Sequence, residues 1–202
     1  CFSSGMATVE ACREIQKEAC KRAALLWEID EDAVEFVDGK VRPAGDNAGA
    51  HEPMDLKEIA AIAGKTGGPL VGTSAINAQG AAPSLGTHLV DVEVDPETGK
   101  VDIKRYTVIQ DAGRAIHPAY VEGQFQGGAA QGIGWALNEE YIYNKDGKLD
   151  NPGFLDYRIP VASDLPMIDT IIVEVPNPNH PYGVRGVGET PIVPPMGAIA
   201  NA

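Results

Sequence analysis

From Gly5 to Ile29 apolar residues recur at helical spacing: Met6, Val9, Cys12, then Ile15 or Gln16, Ala19, Ala23 and Leu26 share one stripe. The pattern predicts an amphipathic helix. Asp38-Gly39 then separates AVEFV from KVRP, the signature of a tight hairpin. PMDLKEIAAIA opens a short helix, with Asp55 as cap and Glu58 three residues on, a capping box with Asp in place of Ser or Thr. THLVDVEVD and KVDIKRYTVIQD, joined by PETG, predict a second hairpin in which His88, Val90, Val92 and Val94 share a face. AYVEGQFQGGAAQGIGWALNEE is rich in glycine yet spaced as a helix, with Pro118 in its first turn. EYIYNKDGKLD predicts another hairpin, at Asp146-Gly147, and IDTIIVEVP a strand that stops at Pro176. No repeat and no linker divides the pattern. The expected fold is therefore α+β, mixed sheets with packed helices, as a single unit over residues 1–202. The chain opens on Cys1 and stops inside the apolar run MGAIANA, so both ends are expected to be truncated.

Composition narrows the function classes. With 44% hydrophobic and 22% charged residues, the 202-residue chain has enough apolar surface for a core. Twenty-three glycines and fifteen prolines against 6% aromatics favour a fold with many turns. A formal net charge of -13 excludes the clustered cations that nucleic acid and anionic membranes need. No apolar run reaches transmembrane length, and no basic leader precedes an apolar core. Cys1, Cys12 and Cys20 form no CxxC pair, which suggests reduced thiols and a cytoplasmic setting.

Several candidate motifs reduce to ordinary structure. The GKT at Gly64 lacks the upstream glycine of a phosphate loop, because that position holds Ile59, and reads as a loop with a helix-ending glycine. His51, His88, His117 and His180 have no His or Cys neighbour at ligand spacing, so no metal is expected directly on protein side chains. No nucleophile elbow is present.

Two stretches keep a chemical reading beside a structural one. The run Gly123 to Gly134 suits close helix packing. It also carries Gln124 and Gln131, seven apart on one face, whose amides suit a polar cofactor. In GVRGVGETPIVPP, Gly183, Gly186 and Gly188 lead to Glu189, with Pro191 or Pro194-Pro195 opening the next helix. Glu189 is either a helix-capping acid or a general base fixed by its backbone.

AGRAIHPAYVEGQFQGGAAQGIGWALNEEY, FLDYRIPVASDLP and GVRGVGETP resemble, in that order, the carboxyl-terminal part of the molybdopterin-binding subunit of the xanthine dehydrogenase/aldehyde oxidase family. FSSGMATVEAC resembles the stretch where a cofactor-contacting loop leads into a helix. The resemblance implies an oxidoreductase that hydroxylates a carbon of an N-heterocycle or an aldehyde with oxygen from water. It implies Glu189 as the general base, and Gln124 with Gly123 and Gly188 at a molybdenum–pterin cofactor in molybdopterin or dinucleotide form. Gln131 is a further contact, and Ser3 and Ser4 mark the amino-terminal loop. Iron–sulfur clusters and FAD would sit on other subunits or domains, together with the rest of the molybdopterin-binding subunit, and the substrate would be a small molecule. This segment alone would be catalytically silent. The rival expectation is a scaffold or assembly domain that keeps the fold without the chemistry.

Overall fold

The computed structural model describes residues 2–77 and 83–202. In place of the single unit expected from the sequence, the chain forms two compact units, Cys1–Ala78 and Gln79–Ala202. The physical reason is that each unit closes its own apolar cluster. One gathers Ala19, Ala23, Val41 and Ile59; the other is built on Tyr106, Val108, Phe125 and Ile133. The α+β class stands.

The first unit begins with helix α1, Phe2–Trp27, followed by strands β1, Val34–Val37, β2, Lys40–Pro43, and β3, Met54–Asp55. These strands form an antiparallel sheet in the order β1-β2-β3. Asp38 at φ 51 and Gly39 at φ 79 place both turn residues in the left-handed region, which matches the strand twist and closes the β1–β2 hairpin in two residues. Only part of the expected α1 stripe turns inward. Ala19 and Ala23 are buried with Arg22, whereas Val9 and Leu26 are exposed. Helix α2, Leu56–Ala61, carries the expected capping box: Asp55 Oδ1 accepts from Glu58 N at 2.8 Å, and Glu58 Oε2 accepts from Asp55 N at 2.8 Å. The GKT stretch lies in α3, Ala63–Thr66, which ends at Gly67 with φ 122. Arg22 reaches from α1 to the Thr66 carbonyl beside that glycine. Cys12 and Cys20 are free thiols; Cys1 lies outside the described residues.

The second unit holds a mixed sheet in the order β4-β5-β6, from β4, Gly86–Val94, β5, Val101–Asp111, and β6, Ile168–Val173. β4 and β5 are antiparallel, with a register shift at Asp91/Val92; β5 and β6 are parallel, and α4, Pro118–Leu137, lies in the connection between them. Pro118 sits in the first turn of α4, and the His117 side chain accepts from Tyr120 N. Val121, Phe125, Ala129 and Ile133 of α4 pack on Tyr106 and Val108 of β5, and burying each large apolar side chain stabilises the fold by about 1.5–3 kcal/mol. The hairpin expected at Asp146-Gly147 is a tight turn with one bridge, Tyr143↔Leu149. Its flanks are largely exposed and have no continuous face to bury, so no ladder extends beyond the single bridge. Helix α5, Pro194–Asn201, adds Ile199 to the core. Among the described residues no helix is long and apolar enough to cross a membrane.

Candidate functional site

The corner that carries Glu189 is moored at its amino-terminal side by the end of β5. Gly113 pairs with Val184, Arg114 N donates to Gly183 O at 2.9 Å, and Arg185 N donates to Ala112 O at 3.0 Å. Gly113 has φ 64, and a Cβ there would run into the Gly183–Arg185 backbone, so this close approach requires glycine. Side chains reinforce the mooring. Arg185 Nε stands 2.9 Å from Asp111 Oδ2, and both side chains are largely buried. Arg185 also donates from Nε to Val175 O and from Nη1 to Pro83 O. Asp111 Oδ1 accepts from Gly113 N at 2.8 Å and from Val175 N at 3.0 Å.

Beyond Arg185 the chain runs along α4. Three α4 residues at four-residue spacing receive it in order, Gln124, Gly128 and Gly132, which is the helical i, i+4, i+8 face. A Cβ on Gly188 would sit 3.4 Å from Gln124 Oε1. A Cβ on Gly128 would stand 2.5 Å from Pro191 Cγ, and one on Gly132 would stand 2.5 Å from Pro195 Cγ and 2.8 Å from Ile192 O. Part of the glycine-rich run is thus a seat for the Thr190–Pro195 segment. The rest faces outward: Gly123 and Gly127 are exposed, with nothing within 4 Å of an added Cβ.

Glu189 is the residue before a short 3-10 turn, Thr190–Ile192, with φ -102 and ψ -23, and its side chain makes no capping bond. The capping role therefore has no support. Glu189 is exposed, because the seat on α4 is filled by the prolines that follow it. Pro191 is the second residue of the 3-10 turn and Pro194 the first of α5, so both prolines lie in the first turn of a helical element.

Of the residues singled out by sequence, Gln124, Gly188 and Glu189 come together, with Gly123 adjoining on α4. Gln131 is also exposed but lies about two turns further along α4, beside Gly127, Glu139 and Pro160. Ser3 and Ser4 lie in the first turn of α1 in the other unit; Ser4 O accepts from Thr8 Oγ1 at 3.0 Å. That stretch is helix from Phe2 rather than a loop leading into one, because its spacing lets the i→i+4 ladder begin there. Asp111, Arg185 and Gln110 were not singled out by sequence. Arg185 is inside the GVRG motif, but nothing local marks its partners on β5.

A buried pair stands on the core side of this unit. His88 Nδ1 lies 2.8 Å from the Tyr106 hydroxyl, and His88 Nε2 is buried with no partner among the described residues. Burial lowers His88 from its ordinary 6.5 to about 4 and raises the Tyr106 phenol. Among the described residues no cluster of His, Cys, Asp and Glu could hold a metal ion.

Residues 1–166 match the family model of the molybdopterin cofactor-binding domain, and the chain belongs to that family. The matched range includes Ser3, Ser4, Gly123, Gln124 and Gln131 and ends before Glu189. The chain is 40% identical over 153 residues to a putative xanthine dehydrogenase molybdenum-binding subunit XdhA of Escherichia coli K12, covering 74% of this chain and 20% of that protein. It is 33% identical to the gamma subunit of the 6-hydroxypseudooxynicotine dehydrogenase complex of Paenarthrobacter nicotinovorans, over 98% of this chain and 26% of that one. The solved quinoline 2-oxidoreductase of Pseudomonas putida 86 superposes with a TM-score of 0.72 at 31% identity, covering 93% of this chain and 25% of its own. The chain thus spans about a fifth to a quarter of the length of these relatives.

The corner fits a polar heterocyclic group. Among the described residues the N–H groups of Gly186, Val187, Gly188 and Glu189 find no backbone carbonyl. The exposed Gln124 amide offers a donor and an acceptor beside them, and the open face at Gly123 admits close approach.

Proposed function

We propose that this chain is a segment of the large subunit of a molybdenum hydroxylase, supplying the general-base glutamate and one wall of the molybdenum–pterin site. The observation that carries the reading is Glu189: an exposed carboxylate on a corner fixed at both ends, capping nothing, beside an exposed amide on α4. A base must be in place before the substrate arrives, and a moored backbone meets that demand without a lid.

The molybdenum–pterin group, when bound, supplies the two-electron oxidation that hydroxylation with water requires. The chain's own residues do the rest of the local work. Gln124 would hold the group through its amide, Gly123 would leave room for it, and the Gly188 N–H would donate to it. Gln131 would add a contact further along α4. Glu189 accepts a proton on its carboxylate oxygen. The substrate class is a carbon of an N-heterocycle or an aldehyde; the names of the quinoline and hydroxypseudooxynicotine relatives support the heterocyclic side. Iron–sulfur and flavin centres on other subunits or domains would take the electrons onward. The segment by itself is inactive, and its working location is the cytoplasm.

The test is Glu189→Gln in the assembled, cofactor-loaded enzyme. Turnover should fall by about 10²–10⁴, the usual worth of a positioned base, while molybdenum and pterin content stay unchanged. Wild-type turnover in this variant would mean that the domain serves as a scaffold.

A further inference from the structure

We propose that Gln110 is a positioning residue for Glu189, acting through the Gly186 carbonyl. Gln110 is 1% exposed, one residue from the end of β5. Its Nε2 lies 3.2 Å from Ser84 Oγ and 3.3 Å from Gly186 O. Neighbouring groups fix the orientation of the amide. Ser84 Oγ donates its only hydrogen to Asp111 O at 2.7 Å, so toward Gln110 it accepts; Gly186 O can only accept. The atom facing both must therefore be the NH₂. The buried Oε1 has no partner among the described residues, so the bonds this side chain makes there are the two it donates.

The placement of this amide matters because of what it holds. The backbone pairing from β5 ends at Arg185 N, Val187 packs on the core, and Gly188 meets Gln124 of α4. Gly186 lies between those anchors. Its carbonyl is held by the Gln110 amide and by the Thr190 hydroxyl, the latter at a long 3.5 Å. Residues 110 and 111 thus grip 186 and 185 side by side, Asp111 by charge and Gln110 by hydrogen bond. Without the amide donor the Gly186 carbonyl keeps only the long Thr190 bond, and the hold on Glu189 three residues on loosens. A displacement of about 1 Å at a reacting group can cost on the order of a hundredfold in rate.

The proposal rests on Glu189 being the base, and the experiment separates the two ideas. Three variants are made in the assembled, cofactor-loaded enzyme: Gln110→Met, Gln110→Glu and Glu189→Gln. Gln110→Met should lower kcat by about tenfold, with KM and molybdenum content within about twofold of wild type. Hydrogen exchange of the Arg185 amide, which donates to Ala112 O just before the Gly186 peptide, should quicken by about tenfold in the same variant. Gln110→Glu should be worse than Met, because a carboxylate oxygen would face the Gly186 carbonyl and the Ser84 oxygen. If Gln110 only filled space, Gln110→Met, which keeps much of its volume, would leave both kcat and the exchange of the Arg185 amide unchanged. Unchanged exchange at the Arg185 amide in Gln110→Met overturns the proposal, as does wild-type turnover in Gln110→Glu. Should the Glu variant fail to assemble, exchange and kcat in the Met variant decide. If Glu189→Gln keeps its turnover, the base assignment fails, and the exchange measurement still judges the grip on Gly186.

Discussion

Glu189 and His88 show opposite uses of a titratable side chain. Glu189 is exposed on a held corner, where its carboxylate is open to approach. His88 is buried, beside Tyr106, where charge is penalised. Its value near 4 lies below the 6.5 expected of an unfolded chain. Between those two values the unfolded chain binds a proton that the folded one refuses, so His88's contribution to stability is complete above 6.5 and is lost as pH falls toward 4. The melting temperature, followed from pH 7 to pH 4, should drop through that window, and His88→Gln should flatten the drop. An equal slope in the variant would remove His88 from the account. His88 was placed correctly by strand alternation, but its partner Tyr106 is a residue of the facing strand and no local pattern pairs the two.

At the scale of elements, α4 works as both a packing face and a candidate cofactor wall, and its glycines divide between the tasks. Gly132→Ala would drive a Cβ into Pro195 and the Ile192 carbonyl, and should destabilise the protein by about 1–3 kcal/mol, read as a lower denaturant midpoint. Gly127→Ala meets nothing and should stabilise it by up to about 1 kcal/mol through helix propensity. Equal effects at the two positions would refute this division. The sequence marked the whole run as a helix with small residues. It could not say which glycines face the proline segment, because that depends on a chain stretch far along the sequence lying down on one particular helix face. Pro118 and the two proline-led helix starts were legible, since a proline's fixed φ and missing N–H act locally.

At the scale of the molecule the chain is two compact units, each with its own core, within a family whose full-length members are several times longer. Molybdenum and pterin should be absent or far below stoichiometric in this chain purified alone, and present when it is part of the complete subunit assembled with its partners. Metal analysis and pterin fluorescence decide this. A stoichiometric cofactor on the isolated chain would show that these residues already form a complete cradle.

The sequence by itself determined the local elements: the Asp38-Gly39 hairpin, the Asp55 capping box, the long β4–β5 hairpin and the proline-led helix starts. Each depends on backbone angles and hydrogen bonds among residues within a few positions of one another. It also carried the ordered motifs by which the family is recognised. Only the tertiary structure divided the chain into two units and set Gly188 against Gln124. It alone locked Arg185 to Asp111 and brought the Gln110 amide to the Gly186 carbonyl. Those contacts join residues far apart in the chain, and their geometry is settled when the sheet and α4 pack, not by any local preference.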